Sequence, residues 1–78
     1  MPRQKQYRNN DVIVKLGKKI RELRIKNGFS QEHFANLCDL ELSQINRIEL
    51  GKINTSISQV FLIAKILGVK AKDLLDFD

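Results

Sequence analysis

Two short helical segments joined by only three residues constrain the fold of this chain more than any other feature. Residues 30–37 and 41–50 both space their apolar side chains as helices do, and the connection around Cys38 and Asp39 contains neither Gly nor Pro. So short a connection does not allow a long antiparallel contact, but it suits helices that cross at a steep angle. The second segment should therefore project from the domain, supported on one apolar side.

Three further helices are predicted around this pair. The first begins with a cap at Asp11 and stops near Gly28. The fourth begins in a capping box opened by Ser56 and ends at Gly68, and a fifth covers residues 71–75. The side chains expected to face inward are Ile13, Leu16, Ile20, Leu23, Phe34, Leu37, Ile45, Ile48, Ile57, Val60, Ile63, Ala64 and Leu67.

The domain organisation follows from these helices. No segment alternates apolar and polar residues as a strand requires, so the sequence predicts an all-α, compact five-helix bundle in residues 11–78. Residues 1–10 contain no core-forming pattern, and we expect a flexible basic arm there. That arm either reaches along a polyanion or has no fixed structure.

Composition excludes several classes of protein. The single cysteine rules out an intramolecular disulfide and a multi-cysteine metal site. One histidine and scattered carboxylates offer no nucleophile–base pair, so we expect no enzyme, cofactor, metal or small-molecule ligand. The chain contains no apolar run long enough for a bilayer, so no membrane association is expected and the cytoplasm is the default location.

The charge is positive and unevenly distributed. The net charge is +5, and residues 1–28 hold nine basic groups against two acidic ones. In residues 29–50 only Arg47 opposes four acidic side chains. A concentrated positive field favours a polyanionic partner, with nucleic acid ahead of an anionic membrane.

The helical phase of residues 41–50 separates a buried side from a polar side. At about 100° per residue, Ile45 and Ile48 define one side, and Ser43 and Arg47 fall near the opposite pole. Glu49 lies at the edge of the buried side, where a carboxylate needs a partner. Arg, Ser, Gln and Asn can read base edges, although an ordinary polar face could carry the same residues. The residues flanking the pole are Gln44 and Asn46.

A set of motifs extends this hypothesis to most of the chain. They are Ser30-Gln31-Glu32, Ala35, Ile45, "RIELGK", and "IAKILGV" ahead of "DLL". Together they resemble the Cro/repressor (Xre-type) helix-turn-helix family of phage and bacterial transcription regulators. The resemblance covers residues 13–75 and implies a lambda-repressor-like fold with its helix-turn-helix in residues 30–50.

The resemblance also implies a role for individual residues. An ion pair between Arg24 and Glu49 would tie the first helix to the third, and Gln31 would grip the DNA backbone and brace the third helix. The residues implied to read bases are Leu42, Ser43, Gln44 and Arg47, and those implied to contact the DNA backbone are Gln31, Asn46, Lys52 and Asn54.

Four positions depart from the family pattern. Asp39 stands where the turn usually has Gly, and Glu41 stands where a small hydroxyl residue usually caps the third helix. Leu50 replaces a commonly polar, phosphate-facing residue. Leu42 cannot donate a hydrogen bond and can only pack on a thymine methyl group.

The function implied is sequence-specific regulation of transcription by a homodimer that binds double-stranded DNA at a near-palindromic operator through the major groove. Members of about this length include phage Cro-like repressors and controller proteins of restriction–modification systems. The alternative is a protein-interaction module, or an antitoxin-like protein of the same fold that binds a partner protein. The residues that either form a dimer interface or complete the core are Phe61, Leu74, Leu75 and Phe77.

Overall fold

A computed structural model describes residues 10–77 of the 78-residue chain. Within that range the chain forms five helices and no strand, which confirms the predicted all-α bundle. Of the expected N-terminal arm only Asn10 is described, as the first helical residue, and the remainder lies outside the described range. The helices are α1 Asn10–Lys26, α2 Gln31–Cys38, α3 Leu42–Glu49, α4 Ile57–Leu67 and α5 Ala71–Leu74.

Side-chain caps determine where α2 and α4 begin. The Ser30 hydroxyl accepts the backbone N–H of His33 at 3.0 Å, and the Ser56 hydroxyl accepts that of Gln59 at 3.2 Å. Each cap satisfies one of the N–H groups that a helix leaves unpaired in its first turn. Both helices therefore begin directly after the serines that the sequence indicated.

The core lies where α1, α2, α3 and α4 meet, and the short α5 packs against α4 and α1. Phe34 is its largest fully buried side chain. Further members of the cluster are Leu16, Ile20, Ala35, Cys38, Ile45, Ile48, Val60, Ile63, Ala64, Leu67 and Leu74. Within the described residues no helix is long and apolar enough to cross a membrane.

Two residues expected in the core are exposed instead. Leu37 lies off the stripe of α2 that Phe34, Ala35 and Cys38 bury, because it is about 100° from the centre of that stripe. Ile57 is 68% exposed because it is the first residue of α4, before the helix reaches the core. The inward prediction was therefore wrong at both positions.

Candidate nucleic-acid interface

Helix α3 is fixed to the domain by its inner side. Ile45 and Ile48 are buried in the core. At its C-terminal end α3 touches the backbone of α1 at Gly17, where an added Cβ would lie 2.3 Å from the carbonyl oxygen of Ile48. Because only glycine permits that approach, α1 and α3 pack closer than two helices with side chains at the crossing.

A buried ion pair ties the end of α3 to α1. The Arg24 Nε donates to Glu49 Oε2 at 2.7 Å, and its Nη2 donates to Oε1 at 3.1 Å. The third nitrogen, Nη1, donates to the carbonyl oxygen of Phe29 at 2.8 Å. Glu49 is 5% exposed and Arg24 is 8% exposed, so the pair is shielded from solvent. This is the pairing that the sequence resemblance implied, and its bidentate geometry fixes direction as well as distance.

Gln31 joins the same carboxylate from a third element. Its Nε2 donates to Glu49 Oε1 at 3.1 Å, which connects the first residue of α2 to the last residue of α3. The amide has a second N–H, which a phosphate oxygen could accept. Gln31 therefore links α2 to α3 and keeps a second N–H that Glu49 does not use.

The outer side of α3 carries polar side chains that the domain does not cover. Ser43, Asn46 and Arg47 are all exposed. Arg47 forms neither an ion pair nor a side-chain hydrogen bond with any residue from 10 to 77, so its guanidinium is available to a ligand. Two leucines share this side, and Leu42 is 45% and Leu50 55% exposed.

Comparison with known proteins places this geometry in a family. Residues 20–74 match the helix-turn-helix family HTH_3, and the match includes the whole of α2, α3 and α4. The chain belongs to the helix-turn-helix family of DNA-binding transcription regulators. The resemblance found in the sequence is thereby confirmed.

Three of the similar proteins are control or controller proteins. The chain is 44% identical to control protein C.BamHI of Bacillus amyloliquefaciens over 87% of this chain and 85% of the relative. It is 36% identical to control protein C.MunI of Mycoplasma sp over 83% and 89% of the two chains. The crystal structure of the restriction-modification controller protein C.AhdI from Aeromonas hydrophila superposes with a TM-score of 0.76 and 35% identity, covering 80% of this chain and 94% of that one.

The turn of the helix-turn-helix is closed by an aspartate. Asp39 has φ 56° and ψ 43°, and the following N–H of Leu40 donates to the carbonyl oxygen of Ala35 at 2.9 Å. This is the left-handed conformation that most residues avoid and that Asp and Asn tolerate better than most. Asp39 therefore closes the turn in a conformation that glycine adopts most readily.

The N-terminus of α3 is held by a hydrogen bond that sequence reasoning missed. Glu41 stands at the cap position, and its backbone N–H donates to Gln44 Oε1 at 2.9 Å. The side chain expected to read a base thus contributes its oxygen to the helix. The spacing of Glu41 and Gln44 is that of a capping box, a signal that could have indicated this contact.

The loop after α3 presents two polar residues beside the helix end. Gly51 has φ 71°, and a Cβ on it would lie 2.8 Å from Val14, so this position requires glycine on both grounds. The backbone N–H of Lys52 closes the turn by donating to the carbonyl oxygen of Arg47 at 2.9 Å. Lys52 and Asn54 are exposed in this loop.

Of the four residues expected at a dimer interface or in the core, some are buried and others are exposed. Leu74 is fully buried among the helices, so its side chain cannot meet a second copy and is removed from the candidate interface. Phe77 is half-buried against the same core. Phe61 and Leu75 are exposed, at 61% and 43%. Sequence reasoning missed two exposed apolar neighbours on α4, which are Ile57 and Leu62.

Proposed function

We propose that this protein is a sequence-specific transcription regulator of the controller-protein kind, which binds near-palindromic promoter DNA as a homodimer. One observation carries the proposal: Arg47 is exposed and unpaired, within the described residues, on a helix whose inner side is held by core packing and a buried ion pair. The similarity to control proteins over most of both chains supports it.

Base recognition in this proposal belongs to α3. The N-terminal part of such a helix enters the major groove, and two copies in a dimer reach successive grooves about 34 Å apart. Arg47 donates two parallel hydrogen bonds to O6 and N7 of guanine, worth on the order of 1–3 kcal/mol of discrimination. Ser43 donates to a neighbouring base edge, and Leu42 packs on a thymine methyl group.

The phosphate contacts in this proposal surround α3. Gln31 uses the N–H that Glu49 leaves free, and Asn46, Lys52 and Asn54 approach the backbone from exposed positions. Such contacts set the register of the protein on the duplex but carry no sequence information. Because they release counterions, affinity should fall steeply as salt rises.

The homodimer of this proposal forms through the exposed apolar side of α4 and the residue that follows α5. Ile57 and Phe61 are exposed and lie one turn apart on α4. Leu62 and Leu75 are two further exposed apolar side chains. Exposed apolar side chains in such number favour contact with another protein surface. The proposal includes no catalytic step, cofactor or membrane, and it assigns the protein to the cytoplasm.

A selection experiment tests the proposal. The wild-type protein is used to enrich fragments from random DNA, and binding to the recovered consensus is compared for wild type, Arg47→Ala and Arg21→Ala. Arg21 is the matched control, because it is an exposed arginine of α1. We expect a two-fold symmetric consensus, a loss of roughly tenfold or more in affinity for Arg47→Ala, and a smaller, sequence-independent loss for Arg21→Ala. Unchanged binding by Arg47→Ala would overturn the proposal.

A second candidate function is a protein-interaction module. The observation that favours it is the exposure of Leu42 and Leu50 on the side of α3 that would otherwise meet DNA. This function predicts that the wild type selects no DNA, and that a folded protein partner is lost when both leucines are replaced by serine. Recovery of a symmetric DNA consensus would exclude it as the main function.

A further inference from the structure

The exposed charges of the helix-turn-helix give it little attraction for a polyanion. Between residues 30 and 50, Arg47 is the only arginine or lysine and faces four acidic side chains. One of the four, Glu49, is neutralised by Arg24 in the buried pair. The three others are exposed, and they are Glu32, Asp39 and Glu41. Most of the cations that attract a phosphate backbone must therefore come from elements outside this unit.

One side of α1 faces the C-terminal end of α3. The backbone of Gly17 lies against the last two carbonyl groups of α3, and Val14 touches Gly51 just beyond them. Arg24 is paired with Glu49, the last residue of α3. At about 100° per residue, these three members of α1 lie within about 80° of one another around its axis. They define the stripe of α1 that borders α3.

Arg21 belongs to the same stripe. It lies about 20° from Val14 and about 40° from Gly17 around α1. Unlike Arg24 it is exposed, and within residues 10–77 its guanidinium takes part in no ion pair or hydrogen bond. Arg21 therefore presents a cation to solvent beside the end of α3.

The lysines of α1 lie farther around the helix. Lys18 is about 100° from Gly17, and Lys15 and Lys19 are each about 160° from it. Lys26 is nine residues after Gly17, which places it about 180° away, on the opposite side of α1. Of the basic side chains of α1, the exposed one that borders α3 is thus Arg21.

We propose that Arg21 binds a DNA phosphate beside the C-terminal end of α3, outside the helix-turn-helix itself. This inference rests on the proposed function. When the N-terminal part of α3 enters the major groove, its C-terminal end is left near the phosphates at the edge of the groove. A guanidinium can donate two parallel hydrogen bonds to one phosphate. Such a contact fixes the register of the protein on the duplex and reads no base.

The salt dependence of binding tests this inference. Wild type, Arg21→Ala, Arg21→Lys and Lys26→Ala are titrated at several salt concentrations on the selected operator and on an unrelated duplex of equal length. Lys26 is the matched control, because it is an exposed cation of the same helix on the opposite side. Urea unfolding checks that the variants are folded.

We expect Arg21→Ala to weaken binding to both duplexes by the same factor. The slope of log affinity against log salt should become shallower by roughly 0.9 for each lost phosphate contact, and so by about 1.8 for a dimer. Arg21→Lys should keep the wild-type slope, because it keeps the charge. Lys26→Ala should also keep it, because its side chain faces away from the duplex.

Three results would overturn the inference. They are a wild-type slope in Arg21→Ala, an equal change of slope in Lys26→Ala, and a loss by Arg21→Ala that is confined to the operator. In each case a symmetric consensus that depends on Arg47 would leave the proposed function standing. If the wild type selects no DNA at all, the proposed function fails and this inference fails with it.

Discussion

Glu49 is the residue on which the orientation of α3 depends most directly. It accepts two hydrogen bonds from Arg24 and one from Gln31, so a single carboxylate joins α1, α2 and α3. A surface ion pair would contribute little to stability, but this pair is buried and fully hydrogen-bonded. Its main consequence is that neither partner can be removed without leaving the other charge unpaired inside the protein.

Replacement of Glu49 by glutamine is expected to destabilise the domain by about 3–5 kcal/mol, because the buried Arg24 guanidinium would lose its counter-charge. The measurement is the free energy of unfolding in urea. Glu32→Gln provides the control, since Glu32 is exposed in the first turn of α2, and a change below about 1 kcal/mol is expected there. Equal losses of unfolding free energy in the two variants would show that the buried ion pair contributes no more to stability than the exposed Glu32 does.

Cys38 makes stability depend on pH in the alkaline range. Burial raises the pKa of its thiol from 9.0 to about 11, because the charged thiolate is disfavoured in the core. Below pH 9 both folded and unfolded chains keep the proton, and stability is unaffected. Between pH 9 and about 11 the unfolded chain loses its proton first, so stability falls as pH rises.

The expected loss from pH 8 to pH 10.5 is about 2 kcal/mol, measured as the free energy of unfolding in urea. Cys38→Ala is compared over the same pH range, which cancels the contribution of the lysines. A variant that loses as much stability as the wild type would contradict the assignment of this effect to the thiol.

For single residues, the sequence predicted which face of a helix a side chain occupies. It did not predict where the hydrogen-bonding atoms of that side chain point. Helical phase alone left Glu49 at the edge of the buried side in need of a cation, and the structure supplies Arg24. The same phase set Gln44 beside the polar pole, yet its oxygen bonds to the backbone of Glu41. Phase gives the direction of a side chain to within one face, whereas a hydrogen bond of this kind depends on the conformation of the preceding turn.

At the scale of helices, the contact between α1 and α3 controls how α3 is presented. Gly17 allows the two backbones to approach so closely that a Cβ would lie 2.3 Å from one carbonyl oxygen and 2.8 Å from the next. Neither obstacle is a flexible side chain, so a larger residue must displace a helix. The tilt of α3 therefore depends on a residue of α1 that lies outside the helix-turn-helix.

Replacement of Gly17 by alanine should lower stability by about 1–3 kcal/mol, since the strain of overpacking exceeds the gain in helix propensity. It should also weaken DNA binding at temperatures where the variant is still folded. Urea unfolding and band-shift titration measure the two effects. Lys18→Ala is the neighbouring control, because Lys18 is exposed on α1. A stabilised Gly17→Ala protein would contradict the close packing described.

Helix positions were more predictable than the details of their packing. Ser30 and Ser56 mark the starts of α2 and α4, since a hydroxyl cap acts locally and leaves a signal in the sequence. Leu37 was assigned to the core wrongly because the buried stripe of α2 is narrower than its apolar spacing suggested. Ile57 was assigned wrongly because apolar spacing does not say how far the core extends along α4. The close approach at Gly17 could not be predicted, since it depends on the position of a second helix.

At the scale of the whole molecule, the domain has two surfaces of different character. The outer side of α3 is polar, apart from Leu42 and Leu50, and carries the exposed Arg47. The exposed side of α4 is apolar at Ile57 and Phe61. The first suits a polyanion and the second suits another protein surface. A homodimer joined through α4 would use both surfaces together.

Replacement of Phe61 by serine should convert the proposed dimer into a monomer while leaving the fold intact, because the ring is exposed in the single chain. Sedimentation velocity measures the change of mass, and helical circular dichroism checks the fold. Ile25→Ser is the control, as Ile25 is an exposed apolar residue of α1. A Phe61→Ser protein that remains dimeric would remove α4 as the interface.

The proposed recognition of DNA depends on contact between Arg47 and a base while α3 lies in the major groove. The most direct test measures affinity for the selected operator with guanine and with 7-deazaguanine at the position that Arg47 is inferred to read. We expect the loss of the N7 acceptor to weaken wild-type binding roughly tenfold and to leave Arg47→Ala binding unchanged. Equal losses for both proteins would show that Arg47 does not contact that base, and the claim would be wrong.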